Sequence, residues 1–378
     1  MILQSLLFLP LLVYAFYILR YWLAWNNIPC IINSSEADQA FFTVIVPVRN
    51  EASTIVELLS DLEKQRYPKS GFEVLVVDDH SEDNTPQLVE QYQQRSELNI
   101  RLLFLASFPE KRQKKAAIET GVAAAQGEWI ACTDGDCRVN PDWLLTLNQV
   151  RHQLNPKLIS GPVILSPAKN TFERLQVLEF SALIGVGAAT IQLGQATMCN
   201  GANIAYERAA FYAVNGFAGN EQIASGDDEF LLHKIHRVFP GQIAFAKSEE
   251  AVVSTRPTAS LSKLLQQRVR WASKWSHYDS KLSRLLAVLV VGANAIVFCS
   301  FLGAVFQWLC WGYFLAVLLL KLLPDLILLG AVLGFFRKKR LLSYIVLLQF
   351  VYFPYVLLTA VLGLKGSYNW KGRNHSTP

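Results

Sequence analysis

Two aspartates stand one residue apart in Asp134-Gly135-Asp136, directly after the apolar run "EWIACT" (128–133). Like charges at that spacing repel, so the pair needs bulk water or a counter-charge. A divalent cation would supply one: Mg²⁺ or Mn²⁺ takes carboxylate oxygens together with substrate phosphates. Gly135 would let the backbone approach such a ligand closely. The same tripeptide also suits an ordinary Asp-Gly turn, so its meaning depends on what surrounds it. Two further polar turns follow apolar runs, "PVRNE" (47–51) with Asn50 and Glu51, and "DDHSED" (78–83) with Asp78 and Asp79. Later come the doublet Asp227-Asp228 in "SGDDEFLL" (225–232) and the basic, aromatic "QQRVRW" (266–271). An aspartate there also fits a helix cap, and "LSKLLQQRVRWASKWSHY" (261–278) fits an amphipathic helix lying on a membrane.

These turns need elements to deliver them. "FFTVIV" (41–46), "EVLVV" (73–77), "IRLLFL" (100–105) and "EWIACT" read as buried strands. "STIVELLSDLEKQ" (53–65), "DNTPQLVEQYQQR" (83–95), "KKAAIETGVAAA" (114–125) and "NPDWLLTLNQVRHQL" (140–154) read as helices. Strands alternating with helices predict parallel βαβ units: an α/β fold with a doubly wound, mainly parallel sheet. Ligands of such sheets lie beyond the carboxyl ends of the strands. All three acidic turns follow a strand, so they are expected to meet along one edge. The sequence has no GxxxxGK[ST] loop and no HExxH, and "GVGAAT" (185–190) mimics a dinucleotide fingerprint without a strand before it.

The 378 residues are 52% hydrophobic with a mean hydropathy of +0.25, too apolar for an ordinary soluble enzyme. The excess is clustered. Residues 1–25 hold one charge, Arg20, and residues 285–320 and 341–364 hold none. Residues 1–26 read as a transmembrane anchor, with Tyr21, Trp22 and Trp25 as an aromatic exit and no cleavage site after it. Arg20 then orients the following residues to the cytoplasm. The run 285–320 would make a helix of about 54 Å at about 1.5 Å per residue against a hydrocarbon core of about 30 Å. Two spans breaking near Gln307 are therefore expected. A full crossing by 341–364 would leave Lys365, Lys371 and Arg373 outside, and Pro354 interrupts it, so a re-entrant or interfacial hairpin is expected there. Lys321 and Asp325, one turn apart, read as a mutual ion pair. The six cysteines show no framework spacing and read as reduced thiols. Cys132 and Cys137 flank the acidic motif without making a zinc site. A net charge of +5 suits a membrane-facing surface rather than nucleic acid.

Together these features resemble the family-2 glycosyltransferases, inverting enzymes with a nucleotide-diphosphosugar-binding GT-A domain. The resemblance covers residues 41–275 and rests on "VIVPVRNEA" (44–52), "VLVVDDHSEDNT" (74–85), "KKAAIETGVAAAQGEWIACTDGDC" (114–137), "GANIAYERAAFYAVNGF" (201–217), "GDDEFLLHKI" (226–235) and "QQRVRW", in the family's order. It implies that Asn50, Glu51, Asp78 and Asp79 line the nucleoside pocket and that Lys115 lies near the sugar-nucleotide. It implies that Asp136 binds the metal, with Asp134 beside it facing the nucleotide or sugar. Asp228 matches the catalytic base, and Asp227 the Glu of a Thr-Glu-Asp triplet from which this sequence departs. Like-charge repulsion from Asp227 would raise the base's proton affinity. Gln267, Arg268 and Arg270 would hold the leaving diphosphate, and the Trp271 indole would offer a flat face to the acceptor.

The expectation is a multi-pass inner-membrane glycosyltransferase with its catalytic domain in the cytoplasm. It would take a sugar from a nucleotide-diphosphosugar, probed first as a UDP-hexose, to a membrane lipid or glycolipid, with Mg²⁺ or Mn²⁺. Its expected organisation is an anchor (1–26), a catalytic domain (27–283) ending in an interfacial helix (about 260–278), a transmembrane or re-entrant region (284–364) and a tail (365–378). A processive polysaccharide synthase, a degenerate nucleotide-sugar-binding scaffold and a paired-carboxylate hydrolase are the alternatives.

Overall fold

Helix α1 (Phe8–Asn26) opens the described chain. The computed structural model describes residues 8–31, 37–107, 113–220, 226–272, 281–364, 367–370 and 373–376. The apolar runs and intervening amphipathic stretches form β1 (Phe42–Val48), α2 (Ile55–Glu63), β2 (Phe72–Asp78), α3 (Thr85–Arg95), β3 (Ile100–Phe104), α4 (Gln113–Ala124), β4 (Trp129–Cys132) and α5 (Trp143–Leu154). Every residue of β2 is buried, as a strand covered on both faces requires.

Beyond α5 the chain adds β5 (Leu158–Ser160), β6 (Val163–Leu165), α6 (Thr171–Gln192), β7 (Ile204–Glu207), α7 (Arg208–Ala213), α8 (Asp227–Val238), β8 (Ile243–Phe245), β9 (Val253–Thr255) and α9 (Leu261–Ala272). The main sheet has the order β3-β2-β1-β4-β7-β5-β8. It is a mainly parallel sheet in which β7 alone is inverted, antiparallel to both β4 and β5. That inversion has a consequence for the edge. The register pairs Cys132 with Ile204, so the segment entering β7 arrives where β4 ends. β6 and β9 form a separate parallel pair, joined to the turn after β4 by a bridge between Arg138 and Ser254.

The remaining elements are α10 (Lys281–Val305), α11 (Trp311–Phe335), α12 (Ile345–Leu364) and the strands β10 (Ser367–Trp370) and β11 (Arg373–Ser376). Gln307 takes φ +61° between α10 and α11, at the expected break. Among the described residues, five segments of helix are long and apolar enough to cross a bilayer: Phe8–Asn26, Thr171–Gln192, Ser283–Val305, Trp311–Phe335 and Lys339–Thr359. α6 is the one the sequence did not suggest. Its "GVGAAT" stretch carries helix packing: a side chain on Gly185 would lie 2.6 Å from Val332 Cγ2 of α11.

Residues 345–364 form one helix with Pro354 inside it, rather than the two arms of a hairpin. Ahead of it, Tyr344 accepts a hydrogen bond from Arg174 of α6 at 2.5 Å. α12 and β10 lie beside α9. The segment expected to be an interfacial helix is helical over Leu261–Ala272, as α9, and its expected continuation through 273–278 lies outside the described residues.

Candidate functional site

The parallel strands β1 and β2 end in register and β4 stops three residues short of β1, so their following turns converge as the strand logic requires. Val48 pairs with Asp78 and Ile45 with Cys132, and Asp79 N donates to Val48 O at 2.8 Å. A cavity of about 1090 Å³ opens at this edge, lined there by Glu51, Asp79, Lys114, Asp134, Asp136 and Asp228. Pockets for single drug-sized ligands span about 300–1,000 Å³, so this cavity stands at the top of that range.

Asp136 is exposed to this space. One of its carboxylate oxygens, one of Asp134 and Cys137 Sγ lie within 4.8 Å of one another. At Gly135 an added Cβ would meet Val48 Cγ1 at 2.9 Å and Glu51 Cγ at 3.1 Å, so the turn sits flush on β1 only as glycine. The two carboxylates suit a hard divalent ion. Burial, then Asp134 and Asp136, push the Cys137 thiol well above the usual thiol range. Cys132 faces away, 3.7 Å from Tyr206 Oη, so the two cysteines form no common site.

Lys114 lies at the centre of the acidic groups. Its ammonium is 2.6 Å from Asp134 Oδ1 and 3.2 Å from Asp227 Oδ2. Burial works against that charge, but Asp134, Asp227 and Asp228 outweigh it and raise the lysine above its ordinary range. Lys115, the lysine that the family motif singles out, turns into the core. It is 5% exposed, donates to Asn220 O at 2.6 Å and lies 4.6 Å over the Phe230 ring. One residue on an α-helix is about 100° of rotation, which separates an edge-facing lysine from a core-facing one.

Asp228 sits in the first turn of α8. Its Oδ2 accepts from Gly201 N at 2.9 Å and its Oδ1 from Glu229 N at 2.8 Å, so two backbone donors fix the carboxylate. The inverted β7 brings Gly201 here. A Cβ on Gly201 would stand 3.0 Å from Asp227 Oδ2 and 3.1 Å from Lys114 Nζ. Asp227 is paired with Lys114, which offsets the repulsion expected to act on Asp228.

Other expected residues take different places. Asp78 is buried, accepts from Ser81 N at 3.1 Å and shapes the turn without lining the cavity. Asn50 takes φ +54° and accepts from Glu82 N at 2.8 Å on the surface. Its neighbour Arg49 lines the cavity instead, donating to Asp79 O at 3.0 Å. Sequence reading missed Arg49 and Lys114, each one position from a motif residue.

On α9, Gln267, Arg268, Arg270 and Trp271 all line the cavity. Arg268 is committed to neighbours rather than open to an anion. It is held by Glu179 of α6 at 2.8 Å, donates to Gln267 Oε1 at 2.9 Å and stacks 4.1 Å over the Trp271 ring. Glu179 also accepts from Tyr355 of α12 at 3.3 Å, so one carboxylate ties three helices. Nothing in the sequence near residue 179 signals this.

Residues 43–214 match the family described as glycosyl transferase family 2, and residues 129–363 the one described as glycosyl transferase family group 2. Among curated proteins, Glycosyltransferase AglE of Haloferax volcanii is 38% identical over 104 residues, 28% of this chain and 33% of that protein. Poly-beta-1,6-N-acetyl-D-glucosamine synthase of Staphylococcus epidermidis is 21% identical over 69% of this chain and 64% of that one. The matches thus span less than two thirds of either relative. Among solved structures, the mannosyltransferase PcManGT of Pyrobaculum calidifontis, in complex with GDP-Man and Mn²⁺, aligns with a TM-score of 0.59. That alignment has 20% identity and covers 96% of this chain and 99% of that one.

Proposed function

Because the chain belongs to glycosyltransferase family 2 and is a glycosyltransferase, we propose that it moves a sugar from a nucleotide-diphosphosugar, tested first as a UDP-hexose, to a membrane lipid or glycolipid by a single inverting displacement. The observation that carries this reading is the meeting of Asp79, Asp134, Asp136 and Asp228 with Arg270 around one cavity. Glu51 and Asp79 offer carboxylates to base N–H groups or ribose hydroxyls. The acceptor oxygen attacks the anomeric carbon, its proton passes to Asp228, and the bond from that carbon to the diphosphate oxygen breaks. The charge then gathering on the diphosphate is met by Arg270, Lys114 and the Gln267 amide. Asp134 and Asp136 would hold Mg²⁺ or Mn²⁺, which supplies further neutralisation of that leaving group. Trp271 gives the acceptor a flat apolar face.

In this reading α1 anchors the chain, residues 27–283 form the catalytic domain on the cytoplasmic side, and α9 lies at the bilayer surface. The contacts of Tyr344 with α6 and of β10 with α9 support keeping both ends of α12 on that same side. Labelling a cysteine introduced near residue 374 checks this, and labelling only from outside the cell would sink it. For the reaction itself, purified protein is incubated with a panel of nucleotide sugars, Mn²⁺ and native lipid extract. Release of nucleoside diphosphate that Asp228→Asn abolishes is expected. No release, together with Asp228→Asn indistinguishable from wild type, would leave a nucleotide-sugar-binding scaffold as the better account.

A further inference from the structure

The cavity continues from the sheet edge into the helices. Leu183 of α6, Val291 of α10 and Leu328 of α11 line this inner part, and so do Tyr14, Lys321, Asp325 and Gln349. The last four form a knot. Lys321 Nζ is 2.7 Å from Asp325 Oδ2 and also donates to Gln349 Oε1. Tyr14 Oη donates to Asp325 Oδ1 at 2.6 Å. Each charge thus has a charged and a neutral partner, and α1, α11 and α12 are tied at one point. Lys321 and Asp325 stand 14 and 10 residues before the end of α11 at Phe335, about 21 and 15 Å along the helix.

Past the knot, aromatic rings fill the space. Phe301 lies 5.5 Å from Phe314 and 5.2 Å from Phe350, and Phe298 lies 5.1 Å from Phe353. Val297 and Val317 beside them are buried, and no residue of this ring cluster lines the cavity. Among the described residues, packed rings close the chamber at this far end, while Val288 of α10, which also lines it, is 69% exposed.

We propose that this blind chamber admits the headgroup and first chain segment of a lipid amphiphile bearing a nucleophilic oxygen, presents that oxygen to Asp228, and releases the product by the way it entered, after one sugar. The proposal deepens the function given above and rests on it. A growing glycan needs an exit beyond the site, and that direction is shut by a neutralised charge knot and packed rings. The walls argue the same way. Leu183, Val291 and Leu328 suit hydrocarbon, whereas sugar hydroxyls against them would lose hydrogen bonds.

The test uses full-length protein in phosphatidylcholine nanodiscs doped in turn with diacylglycerol, phosphatidylglycerol and a polyprenyl phosphate, followed by native mass spectrometry. One of the three is expected to stay bound after bulk lipid is stripped. Val291→Trp, which fills the wall, is expected to cut that retention about tenfold, and Ala287→Phe is a second filler should the first fail to fold. The thermal shift given by UDP or GDP with Mn²⁺ should survive both substitutions. Retention of none of the three lipids, or equal retention by both filled variants, overturns the chamber. In turnover, product masses should rise by one sugar, and a ladder of masses overturns single transfer. Loss of the nucleotide shift in the wild type would instead count against the proposed function, leaving lipid retention as a separate reading.

Discussion

The two halves of the cavity are built by opposite means. At the sheet edge, short contiguous turns supply the groups: Glu51 after β1, Asp79 after β2, Asp134 and Asp136 after β4. Backbone geometry delivers them, because parallel neighbours point their carboxyl ends the same way. In the helical half, single side chains from distant helices meet, such as Tyr14 with Asp325 and Glu179 with Arg268 and Tyr355. The edge is therefore tolerant of helix movement, while the chamber depends on helix packing and a few polar links in a medium where unpaired groups are costly. Chemistry and stability should accordingly separate by region.

Substitutions can break that separation or sharpen it. The largest effect is expected for Asp228→Asn, a loss of about 10²–10⁴-fold in nucleoside diphosphate release with lipid retention and thermal stability unchanged; a parallel loss of stability would merge the two halves. Next comes Asp325→Ala, which strands the Lys321 ammonium among helices and should cost about 3–5 kcal/mol, seen as a lower unfolding temperature in detergent. Lys321→Met with Asp325→Leu should recover most of it, since neither charge is then left alone. Lys114→Met should lower kcat/KM for the donor by the equivalent of about 1.5–3 kcal/mol, whereas Lys115→Met should lower stability alone. The smallest effect is expected for Arg268→Lys. It keeps the charge but loses the fork to Glu179 and the stack on Trp271, worth about 1 kcal/mol, and should raise the acceptor KM several-fold while leaving the donor KM in place.

The contrast also explains what the sequence made legible. β1 to β4 and the helices between them announce themselves as apolar runs broken by turns, and the acidic turns follow from their ends. β5, β6, β8 and β9 are three residues each, too short for an alternation to register. α6 is apolar on most faces because it is wedged between the catalytic domain and the other helices, so it reads neither as a one-faced surface helix nor as a lipid-facing span. Its glycines looked like a poor nucleotide fingerprint and are a packing seam. The Lys115-for-Lys114 and Asn50-for-Arg49 shifts have one cause: a motif marks a segment, whereas helical phase and a left-handed backbone at Asn50 decide which neighbour faces the cavity. Pro354 suggested two arms, yet it sits inside a continuous helix, as membrane helices with neighbours to satisfy their carbonyls allow.

Lys114 carries a thermodynamic consequence. Its ammonium already occupies one partner of the paired aspartates and one of the doublet on α8, so a divalent ion at Asp134 has to compete with a resident charge. A diphosphate gives that lysine somewhere else to go. Ion and donor should therefore favour one another's arrival, and by reciprocity each tightens the other by the same factor. Titrating Mn²⁺ with and without UDP measures that factor, and it should fall in Lys114→Met.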